Sequence, residues 1–524
     1  MSPRRSVPAA VAAVLVAAVA HTAPPPVPDA ATLRAKVRAW REAHEAAILR
    51  EFVALLALPN VADDPSHIRR NAEHILGLLR ARSLQARLLE VEGGVPAIYA
   101  ERQAAPGAPT VLIYAHYDGQ PVDPAQWASP PWTPMLRDGP VEAGGREVPL
   151  PTGPGQARPD WRLYARSASD DKAPVIGVLA ALDALAAAGI PLSVNLKLFL
   201  EGEEEAGSPH LAPMLKEHAP LLAADLWLLC DGPVHQTRRP QVFFGARGVV
   251  GLEITAYGPR RALHSGHYGN WAPNPALTIA NVVASLRADD GRILVDGFLD
   301  DVRPPSESEQ RAAASAPPVE KEMASALALA EPLRGKSLAA GVLDPAINVR
   351  GMRAGGVGAQ AANAIPTEAH ASLDFRLVPD QTPERVRERV EAHLSRRGYT
   401  IVHQPPSAEA RSTRPRLLYL QWDGGYPAAR TSLDDPAAGA AVRVLDEAAG
   451  GSLVVLPTLG GSVPMYLFAQ ATRAPIVGLP IANHDNNQHA ANENLRLQNL
   501  WDGIEAYAAV LARLGPFLAA ARSR

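Results

Sequence analysis

Three short apolar runs, residues 110–115, 194–200 and 226–230, each stop at a cluster of histidine or acid. The clusters are His116-Tyr117-Asp118-Gly119, Glu201-Gly202-Glu203-Glu204-Glu205 and Asp231-Gly232. Runs of this length bounded by Pro, Gly and polar residues read as buried strands. A small-residue stretch with helical spacing, residues 173–188, lies between two of them, so strand, helix and strand alternate. That alternation predicts an α/β fold with a mainly parallel central sheet flanked by helices. Ligands of such sheets bind beyond the carboxyl ends of the strands, which is where the charged residues of this chain collect.

Apolar residues recur at three and four positions over 31–58 and 66–82, predicting two amphipathic helices ahead of the sheet. The pattern then changes. Residues 241–256 alternate like antiparallel strands, 274–287 and 382–397 are helical, and 368–377 reads as a strand. We therefore expect an inserted α+β unit over 246–425, within a first domain formed by 24–245 and 426–524. A helix at 437–449, a strand at 474–479 and a long helix from 497 complete the chain, with Gly515-Pro516 expected to end that helix near 514. At the amino terminus, Arg4-Arg5, an apolar run over 7–19 and the small-x-small Ala18-Val19-Ala20 have the order of a signal peptide, residues 1–20. The expectation is an exported protein, periplasmic or secreted, with no membrane attachment after cleavage.

The net charge of −3 and pI near 6.6 leave no global field for holding nucleic acid. The single cysteine, Cys230, excludes an intramolecular disulfide and any cysteine-rich metal site. A metal here must be held by His and carboxylates. His116 and Asp118, two apart at a strand end, can point to one side, with Asp118 orienting the imidazole, although a structural pair would look the same. Asp170 stands in Asp170-Asp171-Lys172 before a helix, where it is either a cap or a bridge between cations. Glu203-Glu204-Glu205 is a solvated acidic turn or a site where cations offset adjacent charges. Asp231 is a cap or a ligand, and His489, in a polar loop before the last helix, is a surface residue or a ligand. Jointly, two His and several carboxylates at strand ends suit paired zinc ions.

With these stretches in hand, the sequence resembles the M20 family of metallopeptidases, the aminoacylase and carnosine dipeptidase relatives. The resemblance rests on Tyr114-Ala-His116-Tyr-Asp118, Tyr164-Ala-Arg-Ser-Ala-Ser-Asp170-Asp171-Lys172, Glu201-Gly-Glu-Glu204-Glu205-Ala-Gly-Ser208, Asp231, His264-Ser265-Gly266 and His489. It implies a zinc-exopeptidase-like catalytic domain with an inserted lid and dimerisation domain. By the same resemblance His116 and Asp231 hold one zinc, Glu205 and His489 the other, and Asp170 bridges them, with Mn2+ or Co2+ as possible substitutes. Glu204 is implied as general base and Asp118 as the residue orienting His116. His264 is implied to reach the active site of a partner subunit in a homodimer, and Arg376 to clamp the substrate's terminal carboxylate, with Asn348, Gly461 and Ser462 as further substrate contacts. The implied reaction is hydrolysis of the amide bond of a dipeptide or small peptide. Removal of an N-acyl group from an amino acid is the alternative within the class, and a non-catalytic binding protein the alternative outside it. This chain departs from the family in carrying Ala165, Ser167 and Ala173 where glycine is common. It also has Pro457-Thr458-Leu459, without an Arg, before Gly460-Gly461-Ser462. Trp127, Trp132 and Trp271 are candidates for lining a pocket.

Overall fold

The computed structural model describes residues 27–522, so the signal-peptide reading of 1–20 lies outside the described residues. The central sheet contains β1 (Gln85–Leu89), β2 (Ala97–Arg102), β3 (Thr110–His116) and β4 (Asn195–Glu201). It continues with β5 (Leu226–Leu229), β6 (Gln241–Phe243), β7 (Val454–Leu456) and β8 (Ile476–Gly478). Their order across the sheet is β1-β2-β4-β3-β5-β8-β6-β7. The middle is parallel, β3 pairing with β4 and β5, and β5 with β8. The edge carrying β1 and β2 is antiparallel, so the sheet is mixed rather than uniformly parallel.

Alternation along β3 explains how both faces are covered. Val111, Ile113 and Ala115 join a core with the helices Ala30–Leu56, Lys172–Ala187, Pro436–Ala448 and Leu497–Arg522, whereas Leu112 and Tyr114 face a second core with Leu211, Met214 and Phe468. Parallel register sets His116 opposite Glu201 and Tyr114 opposite Leu229, which brings the carboxyl ends of β3, β4 and β5 level. The charged clusters after those strands therefore meet at one edge.

The last helix corrects one expectation: it runs through Pro516 to Arg522 instead of stopping at 514. A proline inside a helix costs about 3 kcal/mol. Leu518 is buried and Phe517 packs on the same core, each apolar side chain contributing roughly 1.5–3 kcal/mol, enough to offset the break. Gly515 permits the close approach, since a Cβ there would lie 1.9 Å from Ser193 O. This helix is long and apolar enough to cross a membrane, yet most of its apolar window is buried against the sheet.

A second, five-stranded sheet has the order 346–353, 368–377, 248–257, 417–422, 400–402. One face is covered by the helices Pro275–Leu286 and Pro383–Arg396, which bury Val250, Leu252, Phe375 and Leu373 in a separate core. The alternating stretch 241–256 divides between the two sheets: Gln241–Phe243 belongs to the central one and Gly248–Tyr257 to the second. Glu309, on the helix Glu307–Ser315, pairs with buried Arg430 at 3.1 Å.

Candidate metal centre

His116 ends β3 with its side chain fully buried. Its Nε2 lies 2.9 Å from Asp170 Oδ1, and its Nδ1 lies 3.3 Å from Asp118 Oδ1. Asp170 comes from the loop before the helix Lys172–Ala187, and its second oxygen, Oδ2, lies 3.2 Å from His489 Nε2. His489 Nε2 is also 3.3 Å from Glu205 Oε2. Two donor groups result, His116 with Asp170 and Asp231, and Asp170 with Glu205 and His489, the ligand atoms of each lying within 4.8 Å of one another. Asp170 belongs to both. Glu204 belongs to neither, but its Oε2 stands 4.0 Å from His116 Nε2.

Asp118 is buried and anchors two parts of this arrangement. Besides facing His116, its Oδ1 accepts the Glu204 N–H at 3.2 Å and its Oδ2 the Glu205 N–H at 2.9 Å. Gln120 Nε2 donates to Glu205 Oε2 at 2.7 Å and Gln488 Nε2 to Asp170 Oδ2 at 2.8 Å.

Burial and crowding shift the carboxyl groups apart. Burial and the Asp170 charge push Asp231 up to about 6 and Glu205 up to about 8. Burial, with the charges of Asp231 and Asp170, also raises Glu204 well above the usual carboxylate range. Burial acts against Asp170 too, but the imidazoles of His116 and His489 outweigh it and hold that carboxyl low. For His116 the Asp118 and Asp170 carboxylates outweigh burial and raise the imidazole above its ordinary value. So many buried acids around two imidazoles is a set of oxygen and nitrogen donors whose charges divalent cations would neutralise, and the residues fit paired ions such as zinc.

Sequence reasoning missed the residue that holds Asp170 in place. Glu493, fully buried, accepts from the N–H groups of Ser169 and Asp170 at 2.9 Å each and from the Ser167 N–H at 2.8 Å. It also pairs with buried Arg166 at 2.8 Å. Ser167, at one of the expected glycine positions, has φ of 62°. Its Oγ donates to Asp118 O and accepts from Asn60 Nδ2, so local hydrogen bonds support the left-handed backbone. The only early signal for Glu493 was an acid in the Asn-rich loop before a helix.

A second group forms where the strand Glu368–Leu377 of the second sheet meets the turn after β7. Arg376 Nη1 donates to Ser462 Oγ at 2.8 Å, its Nε donates to Asp374 Oδ2 at 2.7 Å, and Asn348 Nδ2 approaches the same Oδ2 at 3.4 Å. Tyr426, another residue not anticipated, hydrogen-bonds Ser462 and is pushed up to about 12 by burial and the nearby Glu204 charge, linking this group to the acids. The Gly460-Gly461-Ser462 turn has no arginine of its own, but Arg247 Nε donates to Gly460 O at 2.9 Å. His264 is elsewhere: its Nδ1 accepts the Gly266 N–H and its ring packs on His267. Trp127 lies under the Arg166 guanidinium, Trp132 donates to Asn60, and Trp271 is solvent-exposed.

The profile of Peptidase family M20/M25/M40 matches residues 112–513, a span that includes every donor residue above. The chain belongs to that family. Among M20 relatives, the Cys-Gly metallodipeptidase dug1 of Schizosaccharomyces pombe is 26% identical over 409 residues, covering 77% of this chain and 79% of the relative. The human Beta-Ala-His dipeptidase is 24% identical over 430 residues, covering 79% and 76%. The crystal structure of the M20 family metallo-carboxypeptidase Sso-CP2 from Sulfolobus solfataricus superposes with a TM-score of 0.72 at 27% identity, covering 90% of this chain and 99% of that one.

Proposed function

We propose that this M20 peptidase hydrolyses the amide bond of dipeptides or small peptides with two zinc ions, which Mn2+ or Co2+ can replace. The observation that carries the reading is Asp170, whose two oxygens lie 2.9 Å from His116 and 3.2 Å from His489. His116 and Asp231 would hold one ion, Glu205 and His489 the other, and Asp170 both. The relatives named as dipeptidases support the substrate class.

Bound in pairs, such ions supply a water acidified toward neutrality and polarise the amide carbonyl. Glu204, beside both donor groups and a member of neither, takes the proton of the attacking water and delivers it to the leaving amine. A carboxyl raised by burial is suited to both transfers. Asp118 keeps the His116 ring oriented. Arg376 clamps the terminal carboxylate with a planar fork, and Asn348, Gly461 and Ser462 shape that end of the cleft. Residues 24–245 and 426–524 act as the catalytic domain and 246–425 as a lid, and His264 completes the site of a partner subunit in a homodimer. Exposed Tyr268, Trp271 and Leu277 near His264 support a covered lid surface. Residues 1–20 direct export.

Metal analysis of protein purified without chelator should find two divalent ions per chain, and Asp170→Ala should release both. Dipeptides should be hydrolysed and N-acetyl amino acids left intact. Full occupancy in Asp170→Ala, or the opposite substrate preference, overturns the reading.

A further inference from the structure

Arg247 stands at the passage from the central sheet to the second one, between Gly245–Ala246 and Gly248–Tyr257. Its Nε bond to Gly460 O and its backbone N–H bond to Gly461 O, at 3.3 Å, fix it beside Ser462 and thus beside Arg376. Asp374, the one carboxylate whose charge favours the Arg247 cation, is already engaged by Arg376 and Asn348. Burial and the Arg376 charge push Arg247 down to about 10, so two guanidiniums share one acid. A second anion would relieve that repulsion.

Arg247 and Asn348 also line a cavity of about 470 Å3. Its wall is supplied by Met323, Leu327, Leu329 and Leu338, on the segment that packs across this face. Leu327, Leu329 and Leu338 are 61%, 53% and 41% exposed, so these side chains are open surface rather than core. Of the two acids in this wall, Glu320 is taken up by the N–H groups of Leu338 and Val319, and Asp344 pairs with Lys336. An apolar recess whose lining includes the guanidiniums of Arg247 and Arg287 matches a group bearing both a carboxylate and an apolar side chain.

We propose that Arg247 and this recess bind the C-terminal residue of the substrate, Arg247 sharing its carboxylate with Arg376 and the recess taking its side chain. The substrate class is then peptides ending in a bulky apolar residue. This rests on the peptidase reading above. Ser462 accepts from Arg376 and bonds Tyr426, which feels the Glu204 charge, so these two residues link the Arg376 guanidinium to the acids.

The test is steady-state kinetics of the zinc-loaded enzyme on Gly-Gly, Gly-Leu, Gly-Phe and Gly-Leu amide. Gly-Leu and Gly-Phe should exceed Gly-Gly in kcat/KM by about tenfold or more. Arg247→Met should raise KM for Gly-Leu by roughly 10- to 100-fold, with kcat less affected, and should change the amide far less; Arg247→Lys should recover part of the loss. Gly341 lines the recess and a Cβ there has nothing within 4 Å, so the larger side chain of Gly341→Leu starts from open space and narrows the recess. It should compress the ratio of Gly-Leu to Gly-Gly. A flat preference across the series, or a ratio unmoved by Gly341→Leu, overturns the recess, while loss of free acid and amide alike in Arg247→Met overturns the carboxylate role. Failure of the wild type to cleave any dipeptide overturns the peptidase reading instead.

Discussion

Replacing Glu493 by Gln changes one atom in the loop that carries Asp170 and should be felt twice. One carboxylate oxygen accepts from Arg166 and the Ser167 N–H, the other from Ser169 and the Asp170 N–H. The new amide group must turn its N–H pair toward one of these sets. Either way two buried donors face a donor, and Arg166, 2% exposed, loses its countercharge. Breaking a buried pair by removing one partner costs about 3–5 kcal/mol, and the lost N–H bonds fall within that range because they share the same acceptor. Displacing Asp170 should weaken metal affinity about 10- to 100-fold, the usual effect of losing an outer support. Urea unfolding measures the first effect, and zinc titration against a chromophoric chelator the second. A variant that loses under about 1 kcal/mol and keeps its zinc affinity would refute the claim that Glu493 holds the bridging residue.

Glu204→Gln should retain both metals and lose at least about 100-fold in turnover, whereas Glu205→Gln should lose metal, as read by metal analysis and dipeptide kinetics. Asp502, raised to about 6 by burial and the Glu505 charge against the pull of Arg38 and Arg41, disfavours the folded state as it ionises. Both states are protonated at low pH, and the penalty grows as pH rises from about 4 through 6. Asp502→Asn should therefore change stability little at pH 4 and raise it by about 3 kcal/mol at pH 7, measured by urea unfolding. His264→Ala should cut turnover about 10²- to 10³-fold at unchanged zinc content, and mixing it with Glu204→Gln should restore activity through exchanged subunits. Subunits shown to exchange without recovery would rule out a shared site.

Thr110–His116 was legible because burial on both faces leaves an uninterrupted apolar run, and Glu368–Leu377, whose burial alternates, also emerges where the pattern puts a strand. The antiparallel edge strand Gln85–Leu89 was not, since its residues are mostly exposed or half-buried and its pattern lacks an apolar face. The helix beyond Pro516 escaped local reasoning because its support is tertiary, Leu518 buried in the core and Phe517 lying under Arg443 of the helix Pro436–Ala448. The donor residues stand at strand ends, where a charge after an apolar run is visible in one dimension. Glu493 and Arg247 bond residues more than 200 positions away, and Tyr426 meets Ser462 and the Glu204 charge only in the folded chain.

The three adjacent glutamates show how one residue can assign different roles to chemically equal neighbours. They follow β4 in a short 3-10 turn, Glu204–Ala206, which points successive side chains in different directions. Glu203, itself buried, turns toward His210, whose Nδ1 lies 3.0 Å from its Oε1. Asp118 accepts the N–H groups of the next two, one with each carboxylate oxygen, and this fixes the turn against the end of β3. Glu205 then faces His489 and Gln120, and Glu204 faces His116. The same Asp118 oxygen that accepts from Glu204 stands 3.3 Å from His116 Nδ1. The orientations of the imidazole and of the Glu204 and Glu205 backbone are thus coupled through a single buried carboxylate. A change at Asp118 acts on both at once, so its effect exceeds what loss of one imidazole contact alone would produce.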